Sequence, residues 1–109
     1  MPDKLEIYLN LVPIRNETIK LDEEEGSPVL LVPMDSLFDF LAIRRHGRYR
    51  RLKLDDLGAF VWRLCDGEKT VREIGEEVRN IYGDSAEPLY ERLIYFLLEL
   101  KKRHLLELK

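Results

Sequence analysis

Hydrophobic positions fall with helical spacing through the second half of the chain. Leu57, Phe60, Val61, Leu64 and Cys65 recur at i, i+3, i+4, i+7 and i+8, which is one face of an amphipathic helix. Asp55 or Asp56 can cap its start, and Asp66-Gly67 supplies a stop. Thr70-Val71-Arg72-Glu73 reads as a capping box, in which a hydroxyl and a carboxylate satisfy the first free N–H groups reciprocally. Val71, Ile74, Val78 and Ile81 then predict the buried stripe of a second helix, ended by Gly83. A third helix starts at Pro88, with Leu89, Leu93, Phe96, Leu97 and Leu100 as its core face. Tyr90, Ile94 and Leu98 widen that face to an arc of roughly 200°, about twice the stripe a surface helix needs. Lys101, Lys102 and Arg103 complement the negative end of that helix.

The first half follows a different period. Residues 18–22 and 29–32 read as strands joined by a hairpin loop over 23–28. Residues 49–54 alternate. Arg50, Leu52 and Leu54 fall on one face and Tyr49, Arg51 and Lys53 on the other, the pattern of a half-buried third strand. Ser36, Leu37, Phe40 and Leu41 suggest a short helix between the second and third strands. Residues 5–12 fit helix or extended chain equally, and 105–108 read as a short strand. The expected class is α+β. The expected architecture is an N-terminal three-stranded antiparallel sheet followed by three helices, the winged helix-turn-helix arrangement. With 109 residues the chain has room for one domain. Residues 1–17 form an N-terminal extension to it, and 35–47 an insertion before the third strand.

Composition adds little until it is resolved along the chain. The net charge is −3. Residues 1–43 carry −6, residues 44–53 carry +6 and residues 54–109 carry −3. One cysteine, Cys65, cannot form an internal disulfide. The start of the chain lacks a basic segment followed by an apolar one, and no apolar run approaches the ~20 residues of a membrane span. The expectation is a cytoplasmic protein without a membrane role. Catalysis has little support. His46 and His104 stand apart with no Cys or His at ligand spacing. Cys65 falls on an apolar face, the setting of a structural thiol. No phosphate-binding glycine motif occurs, and Gly58 and Gly75 are single glycines inside helices. The chain therefore reads as a non-enzyme with no cofactor and no metal.

The basic segment admits three readings. It can be a solvated loop and strand edge, whose charges block edge-to-edge aggregation. It can neutralise nucleic-acid phosphates, as in a winged-helix DNA-binding protein. Against that, the helices that would meet a duplex carry Glu76, Glu77, Glu87 and Glu91. It can also be a docking edge, where Tyr49, Arg50, Arg51, Leu52, Lys53 and Leu54 receive a peptide as an added strand. Tyr90, Leu93, Ile94, Leu97 and Leu98 of the wide helix would then supply apolar contact, and Lys101, with Arg51 and Lys53, would attract acidic side chains. A protein-interaction domain whose groove is filled by its own N-terminus, or by a second copy in a homodimer, is a further alternative.

Residues 54–74 carry a more specific pattern. Leu54, Asp55, Gly58-Ala59, Val61, Trp62, Asp66-Gly67 and Thr70-Val71-Arg72-Glu73-Ile74 stand in one register. This resembles the signature of the PqqD family, the pyrroloquinoline quinone synthesis D proteins. The resemblance is firm over the first two helices, and the strands and last helix follow by order. It implies a small winged-helix-like domain that recognises leader peptides of ribosomally made precursors. Such domains present the peptide to a modifying enzyme, often a radical S-adenosylmethionine protein. It implies that the peptide lies along the third strand against the third helix, here 49–54 and 88–102. The signature residues Gly58, Ala59, Trp62, Asp66, Gly67, Thr70 and Glu73 are expected to be structural.

Overall fold

The computed structural model describes residues 3–33 and 49–109. The elements run α1 (Lys4–Leu9), β1 (Pro13–Arg15), β2 (Lys20–Glu24), β3 (Ser27–Pro33), β4 (Tyr49–Lys53), α2 (Asp56–Leu64), α3 (Val71–Tyr82), α4 (Leu89–Lys102) and β5 (Leu106–Leu108). The short helix expected over 36–41, the insertion over 35–47 and the basic residues Arg44, Arg45 and Arg48 lie outside the described residues.

The fold is mixed α+β with antiparallel sheets, and it departs from the expected order in two ways. A helix comes first, so four helices are present among the described residues, and the strands form two sheets. Strands β2, β3 and β4 form one sheet in that order, and β1 pairs with β5 in the other. The N-terminal residues are thereby tied down at both elements. Asp3 caps α1, Glu6 of α1 reaches Arg72 of α3 at 2.7 Å, and Leu9 is buried. Strand β1 sits between β5 and the Cys65–Gly67 turn, with Arg15 N–H donating to the Cys65 carbonyl and Gly67 N–H to the Pro13 carbonyl. A six-residue helix and a three-residue strand gain their order from partners far along the chain, not from local periodicity.

The hairpin between β2 and β3 is tighter than the charged stretch suggests. Glu24 pairs with Ser27, leaving only Glu25 and Gly26 in the turn, at φ 54° and 80°. Two central residues with positive φ make the primed turn whose twist matches the strands. On the core face, Leu21, Leu30 and Leu52 form one rung across the three strands. Leu30, at its centre, is fully buried.

Asp55 caps α2 by accepting from Gly58 N–H at 2.7 Å. Ala59, Val61 and Trp62 bury the face of α2 that meets β3 and α3. The capping box of α3 is present, with Thr70 Oγ1 accepting from Glu73 N–H and Glu73 Oε1 accepting from Thr70 N–H. Val71, Ile74 and Val78 are buried as expected, but Ile81 is 67% exposed and Tyr82 is the apolar residue held at that end. Ile81 lies at the last turn, where α3 outruns its neighbours' cover. Pro88 is the N-cap of α4, not its first helical residue, and Leu89, Leu93, Leu97 and Leu100 are buried.

Candidate functional site

Among the described residues, strand β4 is one of the two edges of the larger sheet. Leu54 N–H donates to the Pro28 carbonyl at 3.0 Å. Pairing in an antiparallel ladder alternates, so residues 54, 52 and 50 turn their main-chain groups toward β3. Tyr49, Arg51 and Lys53 turn theirs outward, and among the described residues no strand pairs with that side. Their side chains lie on the sheet face opposite the Leu21–Leu30–Leu52 rung, whereas Arg50, Leu52 and Leu54 lie on the face of that rung. Leu52 and Leu54 are half-buried against the core, and Arg50 is exposed. Arg51 Nε reaches both carboxylate oxygens of Glu24, at 2.9 and 3.0 Å.

Directly after Leu54 the chain enters a small apolar cleft of about 100 Å³, bounded by α2, α3 and α4. Asp55, Leu57, Gly58, Arg92, Leu93 and Phe96 are among its walls. Gly58 lets α4 close over the cap of α2, since a Cβ there would lie 3.0 Å from Asp55 Oδ1 and 3.4 Å from the Phe96 ring.

The structure divides the set of helix residues that the sequence groups with β4. Leu93 lines the cleft beside α2. Leu97 is fully interior, and Ile94 is half-buried against the core. Tyr90 packs on Gly75 of α3 so closely that any β-carbon there would collide with its ring, and Arg79 stacks over that ring 5.5 Å from its centre. Leu98 and Lys101 line a different cleft, next to β1 and β5. Periodicity gives the width of an apolar arc but not which neighbour each side meets. Arg92 and Phe96, on the other flank of α4, share the first cleft with Asp55. Sequence reasoning placed Phe96 in the core and did not single out Arg92.

The signature residues hold the α2–α3 connection. Trp62 is buried, and its carbonyl, with that of Arg63, accepts from the Arg15 guanidinium at 3.4 and 2.9 Å. Asp66 accepts from Lys69 Nζ at 2.7 Å and from Glu68 N–H at 2.9 Å. The Lys69 bond holds the Asp66 carboxyl below its ordinary value, and the same bond raises Lys69. The main-chain N–H of Thr70 holds Glu73 low in the same way. Burial pushes the Cys65 thiol up to about 12, and it donates to the Val61 carbonyl at 3.3 Å. A thiol of that kind carries almost no thiolate at neutral pH. Among the described residues no group of three or more His, Cys, Asp or Glu is placed to hold a metal. No helix among them is long and apolar enough to cross a membrane.

Comparison with known proteins agrees with the signature. The family model described as Coenzyme PQQ synthesis protein D (PqqD) matches residues 17–106. The match covers most of the chain, so the chain belongs to the PqqD family. No curated protein and no solved structure matches it.

Proposed function

We propose that this member of the PqqD family is a non-catalytic peptide-binding adaptor. A peptide adds to the outer edge of β4 by main-chain hydrogen bonds to Tyr49, Arg51 and Lys53. The observation that carries this reading is the outward direction of those main-chain groups on an edge without a paired strand among the described residues. An added strand places alternate side chains on the two sheet faces. One set falls beside Leu52, Leu54 and the cleft at Leu93 and Phe96. The other falls beside Arg51 and Lys53, where acidic residues are favoured and set the register. The family's place in coenzyme synthesis supports a peptide or enzyme partner. In this reading the bound peptide is a precursor leader, the enzyme it is presented to is of the radical S-adenosylmethionine type, and the setting is the cytoplasm. The acidic surface of α3, with Glu73 and Glu76 exposed, opposes a nucleic-acid duplex.

The test begins with peptides selected from a random library on the wild-type chain. Titration calorimetry then compares wild type with the Arg51→Glu/Lys53→Glu double variant. The expected result is affinity at least tenfold lower, a loss of about 1.4 kcal/mol, with an unchanged circular dichroism spectrum. Equal affinity in the folded variant removes β4 as the site.

A further inference from the structure

A different face of α2 borders a further cleft of about 810 Å³, between that helix and β2. Asp56, Phe60 and Arg63 stand at i, i+4 and i+7 along its helical wall. Leu21 and Glu23 of β2 and Tyr82 at the end of α3 are among the other walls. Phe60 and Tyr82 meet edge to face, with ring centres 5.7 Å apart. Leu21, Phe60 and Tyr82 are each half-buried, so their side chains keep apolar surface open to the cleft.

The charges of this cleft are sorted by its ends. Arg15 and Arg63 lie at the C-terminal end of α2, where the Trp62 and Arg63 carbonyls orient the Arg15 guanidinium without cancelling its charge. Glu23 pairs with Pro28, whose carbonyl accepts from Leu54 N–H just before α2. Glu23 and Asp56 therefore lie at the N-terminal end of α2. None of these four groups forms an ion pair among the described residues.

We propose that this cleft binds an amphipathic helix of a partner protein, laid antiparallel to α2. An acidic residue at position i of that helix meets Arg15 and Arg63. Apolar residues at i+3 and i+4 meet Leu21, Phe60 and Tyr82, and a basic residue at i+7 meets Asp56 and Glu23. Positions seven apart share a helix face and are separated by a rise of about 10 Å, which matches the spacing of Asp56 and Arg63 along α2. Helices favour acid in the first turn and base in the last, and that polarity fits the antiparallel orientation. An added strand would need the outward N–H of Glu23, which Asp22 already holds at 2.8 Å. A helix satisfies its own main chain and needs only the side chains of the groove. The proposal goes beyond the β4 reading and stands independently of it.

The test is a nitrogen-15 NMR titration of the full chain with three synthetic peptides. One is a stapled helix with Glu, Leu, Leu and Lys at i, i+3, i+4 and i+7. The second is the same helix with Glu and Lys exchanged, and the third is an extended peptide in which Leu alternates with Glu and Lys. The expected result is that the first helix shifts Leu21, Glu23, Phe60 and Arg63 and binds at least tenfold more tightly than the exchanged one. Glu23→Lys/Arg63→Glu reverses that preference, and Glu23→Gln/Arg63→Gln, used if the first variant is unfolded, abolishes it. Arg51→Glu/Lys53→Glu leaves these shifts in place, so failure at β4 and failure here are separable. Equal binding of the two helices, shifts confined to residues 49–53, no shifts, tighter binding of the extended peptide, or a peptide-free dimer that Glu23→Lys/Arg63→Glu dissociates overturns the proposal.

Discussion

The two edges of the larger sheet are built from the same kind of strand and treated in opposite ways. Strand β2 carries Asp22, Glu23 and Glu24 with one Lys, whereas β4 carries Arg50, Arg51 and Lys53 with no acid. On β2 the outward N–H of Glu23 is already used, since it donates to Asp22 Oδ1 at 2.8 Å. A strand that spends its own side chain on its edge donor cannot offer that donor to another chain. On β4 the outward groups belong to Tyr49, Arg51 and Lys53, which have no such local cap among the described residues. On β2 an outward donor is occupied locally, and on β4 no such cap is found among the described residues. The difference lies in which residue precedes an outward position, not in strand length.

The harshest way to break the contrast is to remove what both edges share. Leu30 is the centre of the Leu21–Leu30–Leu52 rung and is fully buried. Leu30→Ala is expected to cost about 2–5 kcal/mol, the range for a large-to-small change in a packed core. Urea unfolding should show the loss. Peptide binding should fall only as far as the folded fraction does. A stable variant with wild-type unfolding would mean that the sheet is not anchored at this rung.

Proline separates the edges more finely. At Arg51 it deletes an outward N–H and leaves the bonds to β3, because those come from residues 50, 52 and 54. Arg51→Pro is expected to lower peptide affinity at least tenfold while the chain stays folded. Glu23→Pro on β2 deletes the equivalent outward donor, which is already occupied, and is expected to leave peptide affinity unchanged. Calorimetry on the two variants decides it, and equal losses would end the distinction between the edges.

Much of this architecture is legible in the sequence. The caps at Asp55 and Thr70 and the helical periods after them place α2, α3 and α4 closely, because capping and amphipathicity are local. The alternation over 49–54 places β4 and its two faces for the same reason. What was not legible depends on distant partners. Strand β1 is defined by β5, more than 90 positions along the chain in register. The turn at Glu25-Gly26 was hidden inside an acidic run that reads as a longer loop. The division of α4 between two clefts was invisible because Leu98 and Leu93 look alike along one apolar arc, yet meet different neighbours.

A control for both edges lies away from the sheet, in the turn from Asp66 to Thr70. Asp66 and Glu73 are held below their ordinary values of 3.8 and 4.5. The stability they contribute is complete above those values and is lost as pH falls through the lower folded ones. Lys69 is raised, so its share is present below 10.5 and lost as pH rises through its folded value. Thr70→Ala removes the cap and is expected to cost about 1 kcal/mol. Glu73→Gln removes the carboxylate that Thr70 N–H holds low, and thermal unfolding of that variant should depend less on acid than that of wild type. A parallel pH profile would show that the capping box is not what titrates.

The smallest expected effect joins the two edges directly. Glu24 at the end of β2 holds Arg51 of β4 through both carboxylate oxygens, with the Arg51 side chain exposed and that of Glu24 partly so. An exposed pair of this kind adds roughly 0–1 kcal/mol to stability, so its loss should barely move the unfolding curve. Its effect on recognition has the opposite sign. In the free chain Glu24 occupies the guanidinium that an acidic peptide would otherwise engage. Glu24→Gln releases it, and affinity for an acidic peptide should rise by about twofold at low salt and by less at high salt, as the field of the edge is screened. A fall in affinity would mean that Glu24 orients Arg51 for the peptide instead of competing with it. The acidic edge would then be part of the binding surface, and the separation of the two edges would fail at that residue.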